Sequence, residues 1–464
     1  MFDSPTICAI STPAGIGGIA VIRLSGAEAI QIADTVFHSP VKGKFLSEQV
    51  ANTLHFGFIL KGKETLDEVV VGLFRAPHSY TGEDVVEISC HGSLFVQQQI
   101  LQLLIDQGAI LAQPGEFTQR AFLNGKMDLS QAEAVADLIA SGNSAAHRVA
   151  MNQMRGGFSS EIKMLRDQLL HFTSLVELEL DFSEEDVEFA DRTQLIALSR
   201  KVESLIKKLT DSFRLGNVIK NGIPVAIVGE TNVGKSTLLN ALLNEEKAIV
   251  SDIHGTTRDV IEDTVNLNGV LFRFFDTAGL RQTTEPIESM GIERSYQKLE
   301  QASIVLLVLD VTSPLDSILT RIAAIRKMVT SQKLILVANK SDLATEETRY
   351  NLSEVKLTKN ESLVFIAAKS KDNLAALIRE MQSAVSLEKV QSEDVIVTNI
   401  RHYEALTKAQ EAIGRTIAGL ESNISGEFLS QDIRECLFYL GSITGQITTD
   451  EVLGNIFKHF CIGK

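Results

Sequence analysis

The stretch VAIVGETNVGKSTLLNALL, residues 225–243, decides how the middle of the chain folds. An apolar run is followed by a turn that matches G-x-x-x-x-G-K-[ST], and then by apolar residues at helical spacing. Glycines let the backbone N–H groups of such a turn point at phosphate oxygens, and Lys235 supplies a positive charge to the β- and γ-phosphates. The Ser236 hydroxyl can bind Mg²⁺. A chance glycine-rich loop would predict no partner motifs further along the chain.

Three partner motifs do follow, each after an apolar run typical of a strand. In DTAG, residues 276–279, the carboxylate can reach the Mg²⁺ shell and the last N–H the γ-phosphate. In NKSD, residues 339–342, Asp342 can accept two hydrogen bonds from guanine, whereas adenine offers no such donor pair. The motif AAK, residues 367–369, can add backbone N–H contacts to the base. The four ordered motifs therefore predict a site for GTP rather than ATP.

The segment GTTRD, residues 255–259, lies between the first two motifs, and we assign Thr257 to complete the Mg²⁺ coordination. Leu280 stands where Ras-like GTPases carry the glutamine that orients water, so hydrolysis requires a group from elsewhere. Lys235 is assigned to catalysis as well as to binding. The residues that we assign to the nucleotide from these motifs are Asn232, Val233, Gly234, Lys235, Ser236, Thr237, Gly255, Thr256, Thr257, Asp276, Thr277, Ala278, Gly279, Asn339, Lys340, Asp342, Ala368 and Lys369.

The patterns around these motifs predict a multidomain protein of α/β plus α class. Short apolar runs in residues 218–384 are typical of parallel strands covered on both faces, which predicts a doubly wound, Ras-like P-loop G domain. Residues 1–125 alternate short β-rich runs with turn signals and include a helical stretch at 94–106, so we expect an α+β domain. Helical spacing in residues 126–217 and 385–464 predicts one discontinuous helical domain, into which the G domain is inserted.

Composition restricts the partners and the compartment. The chain has 464 residues, with 44 Lys and Arg against 59 Asp and Glu, so its formal charge is −15 and any contact with RNA must use a local basic patch. The longest apolar run is too short to cross a bilayer, and the N-terminal residues lack the pattern of a secretory leader. Four cysteines lie far apart without paired spacing. We expect a cytoplasmic protein with no disulfide framework and no membrane partner.

Three further motifs carry a resemblance to a known family over essentially the whole chain. They are PGEFTQRAFLNGK at residues 114–126, GTTRD at 255–259 and FCIGK at 460–464. With the domain order, they resemble the MnmE (also TrmE) tRNA modification GTPases. The resemblance implies that residues 1–125 form a folate-binding and dimerisation domain. It also implies a homodimer that joins the flavoprotein MnmG in a heterotetramer and adds a carboxymethylaminomethyl or aminomethyl group to C5 of the wobble uridine of certain tRNAs.

The resemblance also implies a K⁺ ion beside the phosphates, which replaces an arginine finger when two G domains meet. Its ligands would be Asn232, Ser251, Ile253 and Thr256, and Asp252 and His254 of the same loop would contact the nucleotide. Ser251 stands where the family often has threonine. The water-positioning carboxylate would be Glu288; read without the family, Glu288 is a surface residue of a loop.

A folate site follows from the resemblance in the same way. A 5-formyl- or 5,10-methylene-tetrahydrofolate would bind Arg23, Glu87, Lys126 and Lys464. An acidic side chain can accept two hydrogen bonds from a pterin, and basic groups suit a formyl oxygen or a glutamate tail. Cys461 matches the near-terminal cysteine of the family, where catalytic thiolate chemistry and an inert packed thiol are both open.

Two other functions compete with this one. A GTP-switched factor in ribosome assembly would use the N-terminal region as an interaction module. A self-contained folate-dependent methyltransferase would use the G domain for regulation and would need no flavoprotein.

Overall fold

The computed structural model describes residues 4–181, 192–243, 263–275, 299, 301–384, 395–422, 424, 426–458 and 460–463, with the backbone alone over 175–181. The chain forms two compact units. The first unit comprises Met1–Ile139, Gln153–Ser204 and Ala405–Lys464, and the second comprises Ala140–Asn152 and Leu205–Glu404. Across the described segments, no helix combines the length and apolar character needed to span a membrane.

The first unit begins with a seven-stranded sheet in the order β3-β4-β5-β6-β2-β1-β7, in which only the β1–β7 pair is parallel. Two helices, α1 and α2, cover one face and share its apolar core. The expected helix over residues 94–106 is confirmed as α2. The strands are β1 Ile7–Ile10, β2 Ile19–Ser25, β3 Phe37–His38, β4 Thr53–Lys61, β5 Glu64–Phe74, β6 Val85–His91 and β7 Ile110–Leu111, and the helices are α1 Ala29–Val36, α2 Leu94–Asp106 and α3 Glu116–Leu123.

Successive side chains of β2 point to opposite faces of this sheet. Ala20, Ile22 and Leu24 are buried under the helices, whereas Val21 and Arg23 point to the opposite face. Arg23 pairs with Glu87 of β6 in the antiparallel register. The strand pattern therefore places a charged pair on the face that α1 and α2 leave uncovered.

Helices follow the sheet domain. They are α4 Leu129–Ala140, α5 Ser144–Met154, α6 Gly157–Asp181 and α7 Arg192–Asn221. In α6 the apolar stripe at helical spacing is confirmed, because Ile162, Leu165 and Leu169 are fully buried.

The second unit contains a six-stranded sheet in the order β13-β12-β11-β8-β10-β9. Alternate residues of β11 enter two different cores, with Leu306 on one face and Leu307 on the other, so both faces are covered. The doubly wound prediction is confirmed. The strands are β8 Ile223–Val228, β9 Asp263–Leu267, β10 Val270–Phe275, β11 Ile304–Asp310, β12 Lys333–Asn339 and β13 Glu361–Phe365, and the helices are α8 Lys235–Leu243, α9 Leu315–Arg326, α10 Glu346–Ser353 and α11 Leu374–Ser383.

One strand of this sheet was not expected. β9 runs antiparallel to β10, while the other pairs are parallel. The hairpin turns at Asn268 and Gly269, whose φ angles of 51° and 85° suit a type I′ turn. The Asn-Gly pair was the sequence signal for this hairpin.

Three helices end the chain: α12 Ile400–Glu421, α13 Gly426–Thr444 and α14 Asp450–Phe457. In the first unit α13 packs along α6, and α14 contacts α3. Leu453 and Phe457 of α14 share a buried cluster with Leu129 and Ala132 of α4. These contacts connect the last helix to the start of the helical region and bring the residues after Phe457 to the N-terminal sheet.

Candidate functional site

The turn after β8 approaches its neighbours so closely that two positions require glycine. Gly229 has φ of 151°, and a Cβ there would lie 2.5 Å from the carbonyl oxygen of Val308 on β11. Gly234 has φ of 98°, and a Cβ there would collide with the side-chain amide of Asn339. The turn therefore sits against the ends of β11 and β12, with its backbone free of side chains at these two points.

Lys235 is the first residue of α8, directly after this turn. Its ammonium donates to the carbonyl oxygen of Gly229 at 2.7 Å and to that of Glu230. Burial lowers the pKa of Lys235 because desolvation disfavours the charged form. A cation removed from bulk water interacts more strongly with an anion, which suits a phosphate at this position.

Asn339, the last residue of β12, links the turn to the loop after β13. Its side-chain Nδ2 donates to Val233 O at 2.8 Å, and its Oδ1 accepts from Ala368 N at 3.0 Å. The residue is only 3% exposed. Three of the sequence motifs are thereby brought to one edge of the sheet and held by hydrogen bonds.

The residues after Asn339 form a 3₁₀ turn, Ser341–Leu343. The N–H of Ser341 donates to Ile366 O at 3.0 Å, and Arg349 donates to Ser341 O at 2.8 Å. Asp342 is exposed on this turn, so its carboxylate is accessible to a ligand. Ala368 is buried, whereas Lys369 is exposed.

Asp310, at the end of β11, also lies at this edge of the sheet, and the sequence analysis did not assign it to the site. Its Oδ2 accepts from Lys340 Nζ at 2.5 Å, and its Oδ1 accepts from the N–H and hydroxyl of Thr312 at 2.9 and 2.6 Å. Burial works to raise the pKa of Asp310, but the hydrogen bonds from Lys340 and Thr312 outweigh it, so the pKa is lowered. An acidic residue that ends the apolar run 304–309 was the available signal.

Several assigned residues lie outside the described part of the chain, and they are Ser251, Asp252, Ile253, His254, Gly255, Thr256, Thr257, Asp276, Thr277, Ala278, Gly279, Glu288 and Lys464. Of the nucleotide set, the structure brings together Val233, Gly234, Lys235, Asn339 and Ala368 through the contacts above. Ser236 and Thr237 follow on the first turn of α8.

A second cluster lies on the face of the N-terminal sheet opposite α1 and α2, against which α3 packs. Arg23 donates to Glu87 Oε1 from Nε at 2.9 Å, and its NH2 lies 2.7 Å from the same oxygen. The two side chains are 18% and 31% exposed. The Arg23 guanidinium also lies 5.3 Å from the ring centroid of Tyr80 and 5.6 Å from that of Phe117. The sequence analysis assigned neither aromatic residue to this site, although Phe117 lies within the motif at residues 114–126.

The C-terminal residues reach this cluster. The carbonyl oxygen of Gly463 accepts from the Ser11 hydroxyl at 3.0 Å and lies 3.5 Å from NH1 of Arg23. Lys126, by contrast, donates to Pro77 O at 2.9 Å rather than to the Arg23–Glu87 pair. The structure thus joins Arg23, Glu87 and the end of the chain, and it places the Lys126 ammonium against the loop that follows β5.

The four cysteines differ in their environment. Cys8, Cys90 and Cys436 are buried, and burial raises their thiol pKa values to about 11, about 11 and about 12. Cys461 is exposed. Of the four thiols, Cys461 alone is both exposed and close in sequence to the Gly463 carbonyl that Arg23 approaches.

Known proteins resemble this chain over its full length. The MnmE helical domain family matches residues 129–461, and the family "GTP-binding protein TrmE N-terminus" matches residues 6–126. A tRNA modification GTPase MnmE from Parabacteroides distasonis is 58% identical over 461 residues, 99% of this chain and 100% of that protein. Proteins of the same name from Bacteroides fragilis and Flavobacterium johnsoniae are 59% and 53% identical, each over 100% of both chains. The matches extend over both structural units, and the chain therefore belongs to the MnmE family of tRNA modification GTPases.

Proposed function

We propose that this chain hydrolyses GTP and that the hydrolysis drives modification of the wobble uridine of certain tRNAs. Membership of the MnmE family supports the GTPase activity and the action on tRNA. The observation that carries the GTP assignment is the Asn339 side chain, which ties the phosphate-side turn at Val233 to the base-side loop at Ala368. One nucleotide can span both segments because they are held at the same sheet edge.

Mg²⁺ fits the phosphate side of this site. Gly229 and Gly234 leave the turn free of side chains, and Ser236 follows Lys235 on the first turn of α8, where a hydroxyl can bind the ion. Thr257 and Asp276 would complete its shell. The ion would offset negative charge on the β- and γ-phosphates. Lys235 holds a positive charge at the same phosphates, and Asp342 selects guanine.

We assign K⁺ the role of an arginine finger beside the phosphates, and Leu280 leaves the orientation of water to another residue. Asn232 is exposed on the turn with φ of 66°, so its side chain is available as an oxygen ligand. Ser251, Ile253 and Thr256 would supply the remaining oxygens. We assign Glu288 to orient the attacking water, as a carboxylate can do through hydrogen bonding. Replacing K⁺ by Na⁺ should slow hydrolysis, because the smaller ion does not fit the same ligands.

The one-carbon donor, 5-formyl- or 5,10-methylene-tetrahydrofolate, fits the cluster around Arg23. Glu87 supplies a half-buried carboxylate for ring N–H groups, and the rings of Tyr80 and Phe117 lie beside the guanidinium, where a flat heterocycle can pack. The ammonium groups of Lys126 and Lys464 would contact the formyl oxygen or the glutamate tail of the folate. Cys461 is the candidate nucleophile because its thiol is exposed, unlike the other three.

The partners belong to the same proposal. On the face that carries Arg23, the side chains of Leu54, Phe56 and Val70 are 74%, 51% and 39% exposed, which supports a homodimer through residues 1–125. The flavoprotein MnmG would complete a heterotetramer in the cytoplasm. The helical domain would comprise residues 126–217 and 385–464, around a G domain at 218–384.

The deciding experiment is mass analysis of tRNA nucleosides from cells that lack this protein. We expect the modified wobble uridines to disappear and to return when the wild-type gene is restored, whereas a Lys235→Ala gene should not restore them. Unchanged wobble uridines in the deletion strain would contradict the proposal and would favour a role in ribosome assembly. Product formation by the purified protein without a flavoprotein would favour the self-contained methyltransferase.

A further inference from the structure

The motif at residues 114–126 contains a glycine whose contacts lie with the end of the chain. Gly115, at the N-terminus of α3, has φ of 71°. A Cβ there would lie 2.8 Å from Phe457 O and 3.0 Å from Phe460 Cβ. Its N–H donates to Cys461 O at 3.3 Å. No side chain larger than hydrogen fits at this position unless Phe457, at the end of α14, and Phe460 move away.

A second contact holds the same segment from the other side. Gly463 has φ of 92°, and a Cβ there would collide with the carbonyl oxygen of Ile10 at the end of β1. The Ser11 hydroxyl donates to Gly463 O at 3.0 Å. Gly463 is buried, whereas Cys461 and Ile462 are exposed. The backbone is therefore fixed on both sides of a cysteine whose side chain remains accessible.

The Gly115 contact adjoins the end of α14, whereas the Ser11 contact does not involve that helix. Leu453 and Phe457 are buried against Leu129 and Ala132, so α14 has its own apolar anchor. Beyond Phe457, Phe460 packs against the same cluster, whereas the segment that follows, Cys461 and Ile462, is exposed. Such a segment opens locally unless specific contacts hold it.

We propose that Gly115 and Ser11 are positioning residues that hold Cys461 next to the Arg23–Glu87 pair. The proposal rests on the proposed function, in which this cluster binds the one-carbon donor. Gly115 donates to the carbonyl of Cys461 itself, and Ser11 fixes the Gly463 carbonyl, which lies 3.5 Å from Arg23 NH1. Thiol chemistry at this cluster would depend on the N-terminal domain holding the last residues of its own chain.

The test compares Gly115→Ala with Gly62→Ala, a matched control. Gly62 has a nearly equal φ of 67°, but a Cβ there meets nothing within 4 Å, so both variants carry similar backbone strain and only Gly115→Ala displaces Phe457 and the residues after it. Carboxypeptidase Y digestion, followed by mass spectrometry, measures release of the last residues. GTP turnover and tRNA modification by the full-length protein with its flavoprotein partner are measured in parallel.

We expect Gly115→Ala to speed release of the C-terminal residues about tenfold and to lower kcat for tRNA modification about tenfold, because a local contact is lost. KM for tRNA and GTP turnover should stay at wild-type values. Gly62→Ala should match the wild type in every assay. Unchanged digestion of Gly115→Ala would overturn the proposal, and so would faster digestion with an unchanged kcat for modification.

Ser11 provides a second variant that introduces no strain. Ser11→Ala should speed digestion and lower kcat about threefold, and Ser11→Thr, which keeps the hydroxyl, should restore both, as expected for one hydrogen bond. If Gly115→Ala does not fold, Ser11→Ala alone decides: a wild-type digestion rate or a wild-type kcat would overturn the proposal. A wild-type protein that modifies no tRNA would refute the proposed function instead, and digestion would still decide whether the segment is held.

Discussion

The nucleotide edge of the second unit and the Arg23 cluster of the first unit are assembled in opposite ways. At the nucleotide edge, Gly229 and Gly234 lie in the turn after β8 and Lys235 begins α8, so the three residues fall within seven positions of the sequence. The Arg23 cluster combines Ser11, Arg23 and Glu87 with Gly463, so its members come from both ends of the chain. A local turn can thus be recognised in a sequence, whereas the second arrangement exists only after the chain has folded.

The two regions also differ in charge. The nucleotide turn holds the Lys235 ammonium against neutral carbonyl groups, which leaves a positive charge for phosphate. The Arg23 guanidinium is already paired with the Glu87 carboxylate. The two sites therefore suit different ligands. The nucleotide turn suits a polyanion, and the Arg23–Glu87 pair suits a ligand with both hydrogen-bond donors and acceptors.

The largest effect is expected at the nucleotide turn. Lys235→Ala removes the cation that we assign to the phosphates, and GTP turnover should fall about 10³-fold. Turnover is measured by phosphate release at saturating GTP. Lys327→Ala, which removes an exposed lysine after α9, is the control and should behave as wild type. A loss of less than tenfold for Lys235→Ala would place the phosphates elsewhere.

A separable effect is expected at the Arg23 cluster. Arg23→Ala leaves Glu87 without its partner, and we expect tRNA modification to fall about 30-fold while GTP turnover stays unchanged. Equilibrium dialysis with a tetrahydrofolate checks binding directly. Arg415→Ala breaks an exposed ion pair with Asp432 and Glu435 and serves as the control. Equal losses of modification and GTP turnover would remove the distinction between the two regions.

Asn339 tests whether the nucleotide edge depends on its internal hydrogen bonds. Asn339→Asp keeps the acceptor for Ala368 N but loses the donor to Val233 O. We expect the free energy of unfolding of the second unit to fall by about 2 kcal/mol and GTP affinity to weaken. Denaturant unfolding and nucleotide titration measure both quantities. Asn360→Asp, at an exposed position, should change neither one.

The smallest effect concerns pH. The pKa of Asp310 is lowered in the folded protein, so its pairing with Lys340 stabilises the fold above the ordinary carboxyl pKa and is lost as pH falls through the folded value. Asp310→Asn should cost about 1 kcal/mol at pH 7, and the difference from wild type should shrink below about pH 4. A difference that grows on acidification would contradict this sign. Urea unfolding at several pH values measures it.

The sequence by itself determined the doubly wound G domain, and it predicted a guanine site there. Motifs such as GETNVGKS at residues 229–236 are contiguous, and their chemistry depends on local turns that follow apolar strands. The apolar runs also predicted strands covered on both faces, because burial on two sides leaves an uninterrupted apolar pattern, as in β11. Arg23 and Glu87 were named through the family resemblance, without any indication that they touch.

Only the tertiary structure decided which distant groups meet. Asn339 reaches Val233 because β8, β11 and β12 are neighbours in the sheet, and the order of strands is not written in any one segment. Gly115 and Gly463 are needed because separate parts of the chain approach within contact distance, which no local spacing encodes. Local periodicity depends on neighbours in sequence, whereas these contacts depend on how the strands and the last helix pack.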